Sequence, residues 1–171
     1  MRFAILGNSG SGKSTLARRL AARTGAPSLD LDTLAWVPGQ VAVPRDPALA
    51  AADVAAFCSA TERWIVEGCY GDLIRASLAW APFLILLDPG EATCLAHCRA
   101  RPWEPHKYTS KAEQDAKLAF LLQWVRNYYT REGDLSLAGH RALFEAYLGP
   151  KLLLMTQPDE ACLATLAPGR G

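Results

Sequence analysis

The chain lacks most features that mark secreted, membrane-spanning or nucleic-acid-binding proteins. Its five cysteines form no C-x-x-C pair, and an odd number of thiols in a chain that is 50% apolar does not suggest a disulfide framework. No apolar stretch approaches the length of a membrane span, and the first residues lack the basic and apolar regions of a signal peptide. The net charge is +1, so no global charge attracts nucleic acid or an anionic membrane. We therefore expect a soluble, cytoplasmic protein without membrane or direct nucleic-acid partners.

Close-spaced metal ligands are also scarce. Cys94, His97 and Cys98 are near one another, but a fourth ligand and a second close-spaced pair for zinc are missing. We interpret the two cysteines, which are four residues apart, as packing residues on one helix face. A length of 171 residues suits one domain, 1–171, with its own core.

Apolar runs of strand length alternate with helical patterns along the chain. This alternation predicts an α/β fold in which helices cover a parallel sheet. The near-continuous apolarity of the runs predicts strands that are buried on both faces. The predicted strands are Arg2–Leu6, Pro27–Leu31, Trp64–Glu67, Phe83–Asp88 and Lys151–Met155; the predicted helices are Thr15–Arg23, Pro47–Ala60, Glu91–Arg101 and Ser110–Arg131, with a proline-rich excursion over Val37–Pro47.

The strongest functional signal lies between the first predicted strand and the first predicted helix. Residues 7–14 match the pattern G-x-x-x-x-G-K-[ST]. Glycines let the backbone turn tightly and aim N–H groups at phosphate oxygens, and the following helix presents its positive N-terminus to the same anion. A Gly/Ser-rich linker is the alternative, but a linker needs neither the lysine nor a buried strand before it. We predict a nucleoside triphosphate site made by Gly7, Asn8, Ser9, Gly10, Ser11, Gly12, Lys13, Ser14 and Thr15.

Two side chains of this loop have predicted roles of their own. Lys13 supplies a mobile positive charge for the β and γ phosphates, and the Ser14 hydroxyl is a ligand for Mg²⁺. Both roles require that the loop bind a nucleotide with its metal ion. We therefore place Lys13 among the predicted catalytic residues.

Carboxylates follow three of the predicted strands, at the edge of a parallel sheet where ligands bind. Asp32 is a candidate to accept a proton from an acceptor hydroxyl or to hold a magnesium-bound water, with a turn cap as its alternative role. Asp30, on the same side of the strand, we interpret as structural. Glu67 and Asp88 are both candidates for the acid that orients a water on Mg²⁺, since that acid must lie beside the phosphate loop. A helix-start acid and a turn acid are their respective alternatives.

With these residues in view, the chain resembles the adenylate kinase and shikimate kinase branch of P-loop proteins, nearest to the small bacterial proteins labelled DNA topology modulation proteins. The likeness rests on 7–15, L-D-L-D-T-L-A-W at 29–36, W-I-V-E-G-C-Y at 64–70 and R-x-R at 99–101. It implies a three-layer α/β/α P-loop NTPase fold with a five-stranded parallel sheet of order 2-3-1-4-5 and a helical lid. It also implies ATP and Mg²⁺ as cofactors and transfer of the γ-phosphoryl group to a nucleoside monophosphate or another small acceptor.

The resemblance assigns further roles. It makes the third strand adjoin the first, so that Glu67 takes the metal-side role, although the family pattern D-G-N-Y reads E-G-C-Y here. It places a lid at about 99–110, with Arg99 or Arg101 stabilising charge on the transferred phosphoryl group. A solvated basic helix end is the alternative, and at most one arginine reaches the phosphates if the helix continues through both. We expect segment 101–110 to be mobile or open without ligands.

The predicted acceptor pocket combines aromatic and arginine side chains. Aromatic rings can stack on a base or ring, and arginines can hold an acidic group. The candidates are Asp32, Trp36, Tyr70, Arg75 and Arg126, whereas Trp64, Trp80 and Trp124 are interpreted as packing residues. Relatives contact adenine through the backbone at a position that corresponds to Gln157–Asp159. Two rival functions stay open: a switch or slow ATPase without a small acceptor, and a nucleotide-binding module without turnover.

Overall fold

The computed structural model describes residues 1–37, 43–104 and 108–168. Five parallel strands form one sheet of order β2-β3-β1-β4-β5, which confirms the predicted topology. All four pairings between neighbouring strands are parallel. The strands are β1 (Arg2–Gly7), β2 (Ser28–Asp30), β3 (Trp64–Gly68), β4 (Phe83–Leu87) and β5 (Lys151–Leu154).

Helices connect the strands and cover both faces of the sheet. The four predicted helices are present, but two of them end early. The helix that begins at Glu91 ends at Arg99, because the residue before Pro102 is biased away from helical dihedrals. The helix that was predicted to end at Arg131 ends at Asn127. Four other helices were not predicted, and three of these have seven residues or fewer, too short for a clear period. The helices are α1 (Lys13–Thr24), α2 (Asp32–Ala35), α3 (Pro47–Ala60), α4 (Gly71–Ser77), α5 (Glu91–Arg99), α6 (Lys111–Asn127), α7 (Leu137–Ala146) and α8 (Glu160–Leu166), with a 3-10 turn at Leu78–Trp80.

Two hydrophobic cores lie on opposite faces of the sheet. Alternate residues of β1 point to opposite faces, so Ala4 and Leu6 pack with residues of α3, α4 and α7, whereas Phe3 and Ile5 pack with residues of α1 and α8. The result is a three-layer α/β/α arrangement. The predicted burial on both faces is wrong for the two edge strands: Leu153 of β5 is 44% exposed, and no residue of β2 is buried.

The central position of β1 decides which strand ends meet the loop that follows it. Gly68 of β3 pairs with Leu6, and Leu87 of β4 pairs with Gly7. The carboxyl ends of β3 and β4 therefore flank the loop on its two sides. Among the residues that the structure describes, no helix is long and apolar enough to cross a membrane.

The two described ends of the proline-rich excursion pair with each other. Trp36 forms an isolated antiparallel bridge with Pro44, and the N–H of Val37 donates to the carbonyl of Val43 at 2.9 Å. Residues 38–42 lie outside the described residues. The bridge fixes the backbone at Trp36, one of the predicted acceptor residues.

A buried histidine links α7 to the segment that follows β3. The Cys69 carbonyl can only accept, so Nε2 of His140 donates to it at 2.9 Å, and Nδ1 accepts from the Tyr128 hydroxyl at 2.8 Å. His140 is fully buried, and this burial lowers its pKa from 6.5 to about 4. The fold therefore holds the imidazole neutral, with one tautomer fixed, next to the start of α4.

We predict that His140 makes the protein less stable in weak acid. The unfolded chain binds a proton at His140 near pH 6.5 and the folded chain only near pH 4, so this contribution is present above pH 6.5 and is lost as the pH falls toward 4. The loss amounts to at most about 3 kcal/mol. Urea unfolding between pH 4.5 and pH 7.5 measures it, as the difference between the profiles of the wild type and His140→Gln.

Ser77→Ala is the control, because it removes a buried hydroxyl that does not titrate and donates to the Ile74 carbonyl at 2.7 Å. It should change stability by the same amount at every pH. If His140→Gln keeps the pH profile of the wild type, the buried neutral histidine does not set the acid sensitivity.

Candidate functional site

The phosphate loop, residues 7–15, joins β1 to α1 and contacts its neighbours closely. A Cβ atom on Gly7 would lie 2.3 Å from the Leu87 carbonyl oxygen. Gly10 has φ +78°, and a Cβ there would lie 2.4 Å from the Cys94 carbonyl oxygen. Gly12 has φ +96° and directly precedes α1. Glycine is thus required at these three positions by packing and by left-handed backbone geometry.

The loop presents N–H groups that have no acceptor. Leu16 is the first residue of α1 whose N–H bonds back into the helix, to the Gly12 carbonyl at 3.0 Å. In the described part of the chain, the N–H groups of Lys13, Ser14 and Thr15 meet no acceptor, as expected at a helix N-terminus. Such a row of donors, together with the helix dipole, is a site for an anion.

Buried polar side chains support the loop from below. The Lys13 ammonium donates to the Asn8 carbonyl at 2.9 Å, and the Asn8 amide donates to the Val125 carbonyl of α6 at 3.0 Å. The Ser11 hydroxyl is buried and has no partner among the described residues. An orphaned hydroxyl and a lysine that folds back on its own loop both suit a site for phosphate.

Two contacts to the loop were missed by the sequence analysis. Nε2 of Gln157 donates to the Gly12 carbonyl at 2.9 Å, so this residue, predicted to act through its backbone, also holds the loop with its side chain. Nδ1 of His97 lies 2.8 Å from the Gly10 carbonyl and donates to it. No sequence signal reveals such pairs, since they lie 87 or more positions apart.

The metal side of the site contains an acid and a hydroxyl. Glu67, at the end of β3, is only 4% exposed, and its burial raises the pKa of the carboxyl group. The Lys13 ammonium and the Ser14 hydroxyl face this carboxyl and oppose that shift by favouring its charged form. Hydroxyl and carboxylate oxygens are ligands that suit Mg²⁺, so Ser14 and Glu67 fit the ion that the motif predicts.

Asp88 lies on the other side of the loop and already has partners. The Tyr129 hydroxyl donates to its Oδ1 at 3.3 Å, and the guanidinium of Arg141 lies 3.6 Å from its Oδ2. These contacts favour Glu67 over Asp88 for the metal role. Across the described residues there is no cluster of three or more His, Cys, Asp or Glu side chains that could hold a metal, and Cys94 and Cys98 pack in a buried cluster with α6, as predicted.

Three of the predicted acceptor residues form one hydrogen-bonded chain. The Tyr70 hydroxyl donates to Oδ1 of Asp32 at 2.9 Å and accepts from the Trp36 indole at 3.0 Å. Burial, with the nearby Cys69 and Asp32, raises the pKa of Tyr70, which keeps the hydroxyl protonated. Asp32 is the first residue of α2 and not the last of a strand, because β2 ends at Asp30. Asp30 has the predicted structural role: its Oδ1 accepts from the Asp32 N–H at 2.9 Å.

The two predicted acceptor arginines have other surroundings than the members of this chain. Arg75, in the last turn of α4, pairs with Asp134 at 3.3 Å, and both side chains are more than half exposed. Arg126 is exposed in the last turn of α6. Neither takes part in the hydrogen bonds that join Tyr70 to Trp36. Their role in binding an acceptor stays a prediction.

A cavity of about 410 Å³ opens beside Tyr70. Trp124, interpreted above as a packing residue, also lines the cavity, and the Arg131 guanidinium lies 3.7 Å from the centroid of its ring. Arg131 was not among the predicted site residues. The lining consists of Tyr70, Asp72, Trp124, Arg131, Glu132, Asp134 and Leu135.

The two predicted lid arginines differ in their surroundings. Arg99 is the exposed last residue of α5. Arg101 lies beyond the helix and pairs with Glu104 at 3.3 Å. Residues 105–107 lie outside the described residues, so the expected mobility of segment 101–110 stays a prediction.

Comparisons with known proteins identify the fold. No family model matches the chain, and no curated protein is found to be similar in sequence. Among solved structures, a gluconokinase from Sinorhizobium meliloti 1021 is 18% identical, with a TM-score of 0.59 over 97% of this chain and 93% of its own. A shikimate kinase from Bacteroides thetaiotaomicron is 17% identical, with a TM-score of 0.52 over 96% of this chain and 93% of its own.

Kti12 from Chaetomium thermophilum, solved in complex with ADP-AlF3, is 14% identical, with a TM-score of 0.52 over 96% of this chain and 94% of its own. At such identities the likeness shows the fold alone. The nearer resemblance to DNA topology modulation proteins is not confirmed. The chain therefore has the three-layer P-loop fold that these kinases and Kti12 share.

Proposed function

We propose that this protein is an ATP-dependent phosphotransferase that moves the γ-phosphoryl group of ATP to a hydroxyl of a small acceptor, a nucleoside monophosphate or another small molecule. One observation carries the proposal. The same edge of the sheet holds a phosphate loop with unpaired N–H donors and, beyond the end of β2, an aspartate held by a tyrosine hydroxyl at 2.9 Å. A triphosphate alone would not need the second group.

The loop supplies the binding energy for the nucleotide. The N–H groups of Lys13, Ser14 and Thr15 bind phosphate oxygens, and the Lys13 ammonium exchanges the Asn8 carbonyl for the β and γ phosphates. Ser14 and Glu67 would hold Mg²⁺, Ser14 as a ligand and Glu67 through a bound water, and the ion would neutralise phosphate charge. These groups lower the barrier by stabilising the charge that develops on the phosphoryl group.

The acceptor side works by position and by proton removal. Asp32 accepts the proton of the attacking hydroxyl, and the Tyr70 hydroxyl holds the carboxylate in place. Trp36 and Tyr70 add aromatic surface for the acceptor. Phosphoryl transfer requires little covalent help from the protein, so correct alignment of the two substrates accounts for most of the rate.

The lid provides the last positive charge. We assign this role to Arg99 or Arg101, within a lid of about 99–110 that belongs to a single domain, 1–171. Arg101 would leave Glu104 for the transferred phosphoryl group when both substrates are bound. Exclusion of water at that step separates a kinase from an ATPase.

A metabolite screen tests this function directly. Purified protein is mixed with ATP and Mg²⁺, single candidate acceptors are added, and ADP release is measured, with Lys13→Ala as the inactive control. We expect ADP release that depends on at least one hydroxylated acceptor. In Lys13→Ala its rate should be lower, by the equivalent of about 2 to 4 kcal/mol of lost transition-state stabilisation. Acceptor-independent phosphate release would instead indicate an ATPase, and ATP binding without turnover a binding module.

We predict that Asp32→Asn and Glu67→Gln affect different steps. Asparagine keeps the hydrogen bond from Tyr70 but cannot take a proton, so turnover should fall at least 100-fold, the contribution of a general base, with ATP affinity unchanged. Glutamine in place of Glu67 removes the charge that faces the ion, so the Mg²⁺ concentration for half-maximal rate should rise. Titration of Mg²⁺ against rate for both variants measures this.

Glu62→Gln is the control, since Glu62 is an exposed carboxylate that precedes β3, at the opposite end of the strands from the phosphate loop. It should keep the Mg²⁺ requirement of the wild type. If Asp32→Asn and Glu67→Gln give the same Mg²⁺ profile, the division of roles between base and metal side is wrong.

For the lid, we predict that Arg99→Ala or Arg101→Ala slows phosphoryl transfer far more than it weakens ATP binding. The reason is that the cation is needed only where charge develops. Single-turnover rates and ATP dissociation constants for both variants provide the comparison. Wild-type rates in both would place the role elsewhere, with Lys107 or Arg126 as the next residues to test.

A further inference from the structure

The cavity beside Tyr70 is joined to the proposed acceptor base. Tyr70 lines the cavity and donates its hydroxyl to Asp32. A ligand in the cavity therefore contacts the side chain that holds the proposed base. The volume of about 410 Å³ is in the range of small-molecule sites and has room for a metabolite of modest size.

One side chain of the cavity, Arg131, is fixed in place by its neighbours. Its guanidinium stacks on the Trp124 ring at 3.7 Å from the centroid, and Nη2 donates to the Trp124 carbonyl. Its backbone N–H donates to the Asn127 carbonyl at 2.7 Å. Stacking and hydrogen bonding on one side hold the planar group, so little side-chain freedom is lost when a ligand binds to its other edge.

Arg131 has no acid partner, although three carboxylates line the same cavity. Asp134 pairs with Arg75 at 3.3 Å, and Oδ1 of Asp72 accepts from an N–H of its own helix at 2.8 Å. Glu132 is exposed. Within 1–37, 43–104 and 108–168, no carboxylate lies in ion-pair range of Arg131, and its Nε is buried without an acceptor.

The charge of Arg131 is therefore only partly compensated. Burial lowers the pKa of its guanidinium, which means that desolvation outweighs the local compensation. An anion with two oxygens in a plane, such as a carboxylate or a phosphate, matches the fork geometry of an arginine and would remove this cost. The remaining carboxylates of the wall can accept hydrogen bonds from ligand hydroxyls.

We infer that this cavity is the acceptor site and that its ligand is a hydroxylated small molecule with an anionic group, a carboxylate or a phosphate, held by Arg131. The inference rests on the proposed function, because it names the acceptor class of that reaction. It differs from the sequence prediction, which gave the anion-binding role to Arg75 and Arg126. The hydroxyl that attacks ATP is at the end of the ligand nearer to Asp32 and Tyr70.

Matched pairs of probes test the anionic requirement. Each pair keeps the carbon skeleton and replaces the charged group by a neutral one: gluconate and the open-chain polyol glucitol, shikimate and its methyl ester, AMP and adenosine. Calorimetry without ATP gives the affinity of each probe, and ADP release with ATP and Mg²⁺ gives kcat and KM. The proteins are the wild type, Arg131→Gln, Arg131→Lys and the control Arg63→Gln, an exposed arginine that precedes β3 at the opposite edge of the sheet.

We expect at least one acid to bind the wild type ten-fold or more tightly than its neutral partner. Arg131→Gln should remove that preference by raising KM for the acid while kcat changes less, Arg131→Lys should restore part of it, and Arg63→Gln should leave it unchanged. The first two pairs report a carboxylate and the third a phosphate. Thermal unfolding checks that each variant is folded; if Arg131→Gln is not, the comparison of Arg131→Lys with the wild type replaces it.

The inference is overturned if no acid is preferred over its neutral partner, or if the preference survives in Arg131→Gln. Turnover of a neutral acceptor at equal rates in the wild type and Arg131→Gln would overturn it while the phosphotransferase function stands. If an acid binds in an Arg131-dependent way but causes no ADP release, the phosphotransferase function fails and the anion site stands.

Discussion

The packing of β1 between β3 and β4 is the constraint on which the site depends. Because β1 is hydrogen-bonded on both sides, the loop that leaves it at Gly7 lies between the carboxyl ends of two strands. Bulk at Gly7 or Gly10 would collide with backbone atoms of β4 or α5, so the loop cannot move away without disturbing the core. The phosphate loop thus leaves the buried centre of the sheet and is packed against β4 and α5.

Burial also sets the electrostatics beside that loop. Glu67 and Lys13 are both almost inaccessible to water, and the Lys13 ammonium opposes the rise in the pKa of Glu67 that burial causes. Burying charged groups contributes little net stability, because desolvation offsets most of the attraction between them. The value of these groups is in function: an ammonium, a carboxyl group and a hydroxyl lie beside the proposed triphosphate site without the reorganisation that water would need.

The local part of the site was predictable from the sequence, and the long-range part was not. The loop, the strand-end acid Glu67 and the trio Asp32, Trp36 and Tyr70 come from motifs read over fewer than ten residues. Arg131 lies beyond a helix whose end was misplaced by four residues, and no local pattern connects it to Tyr70. The contacts of Gln157 and His97 with the loop likewise depend on how β5 pairs with β4 and how α5 packs against the loop at Gly10, which tertiary structure alone decides.

The fate of the γ-phosphoryl group tests the central claim most directly. ATP labelled at the γ-phosphorus is turned over once in ¹⁸O-water with each hydroxylated probe, and the products are separated. We predict that the label appears on an organic acceptor and that little inorganic phosphate carries solvent oxygen, as a site that excludes water requires. The opposite result, label only in inorganic phosphate that carries one solvent oxygen, at a rate that no probe changes, would contradict a phosphotransferase.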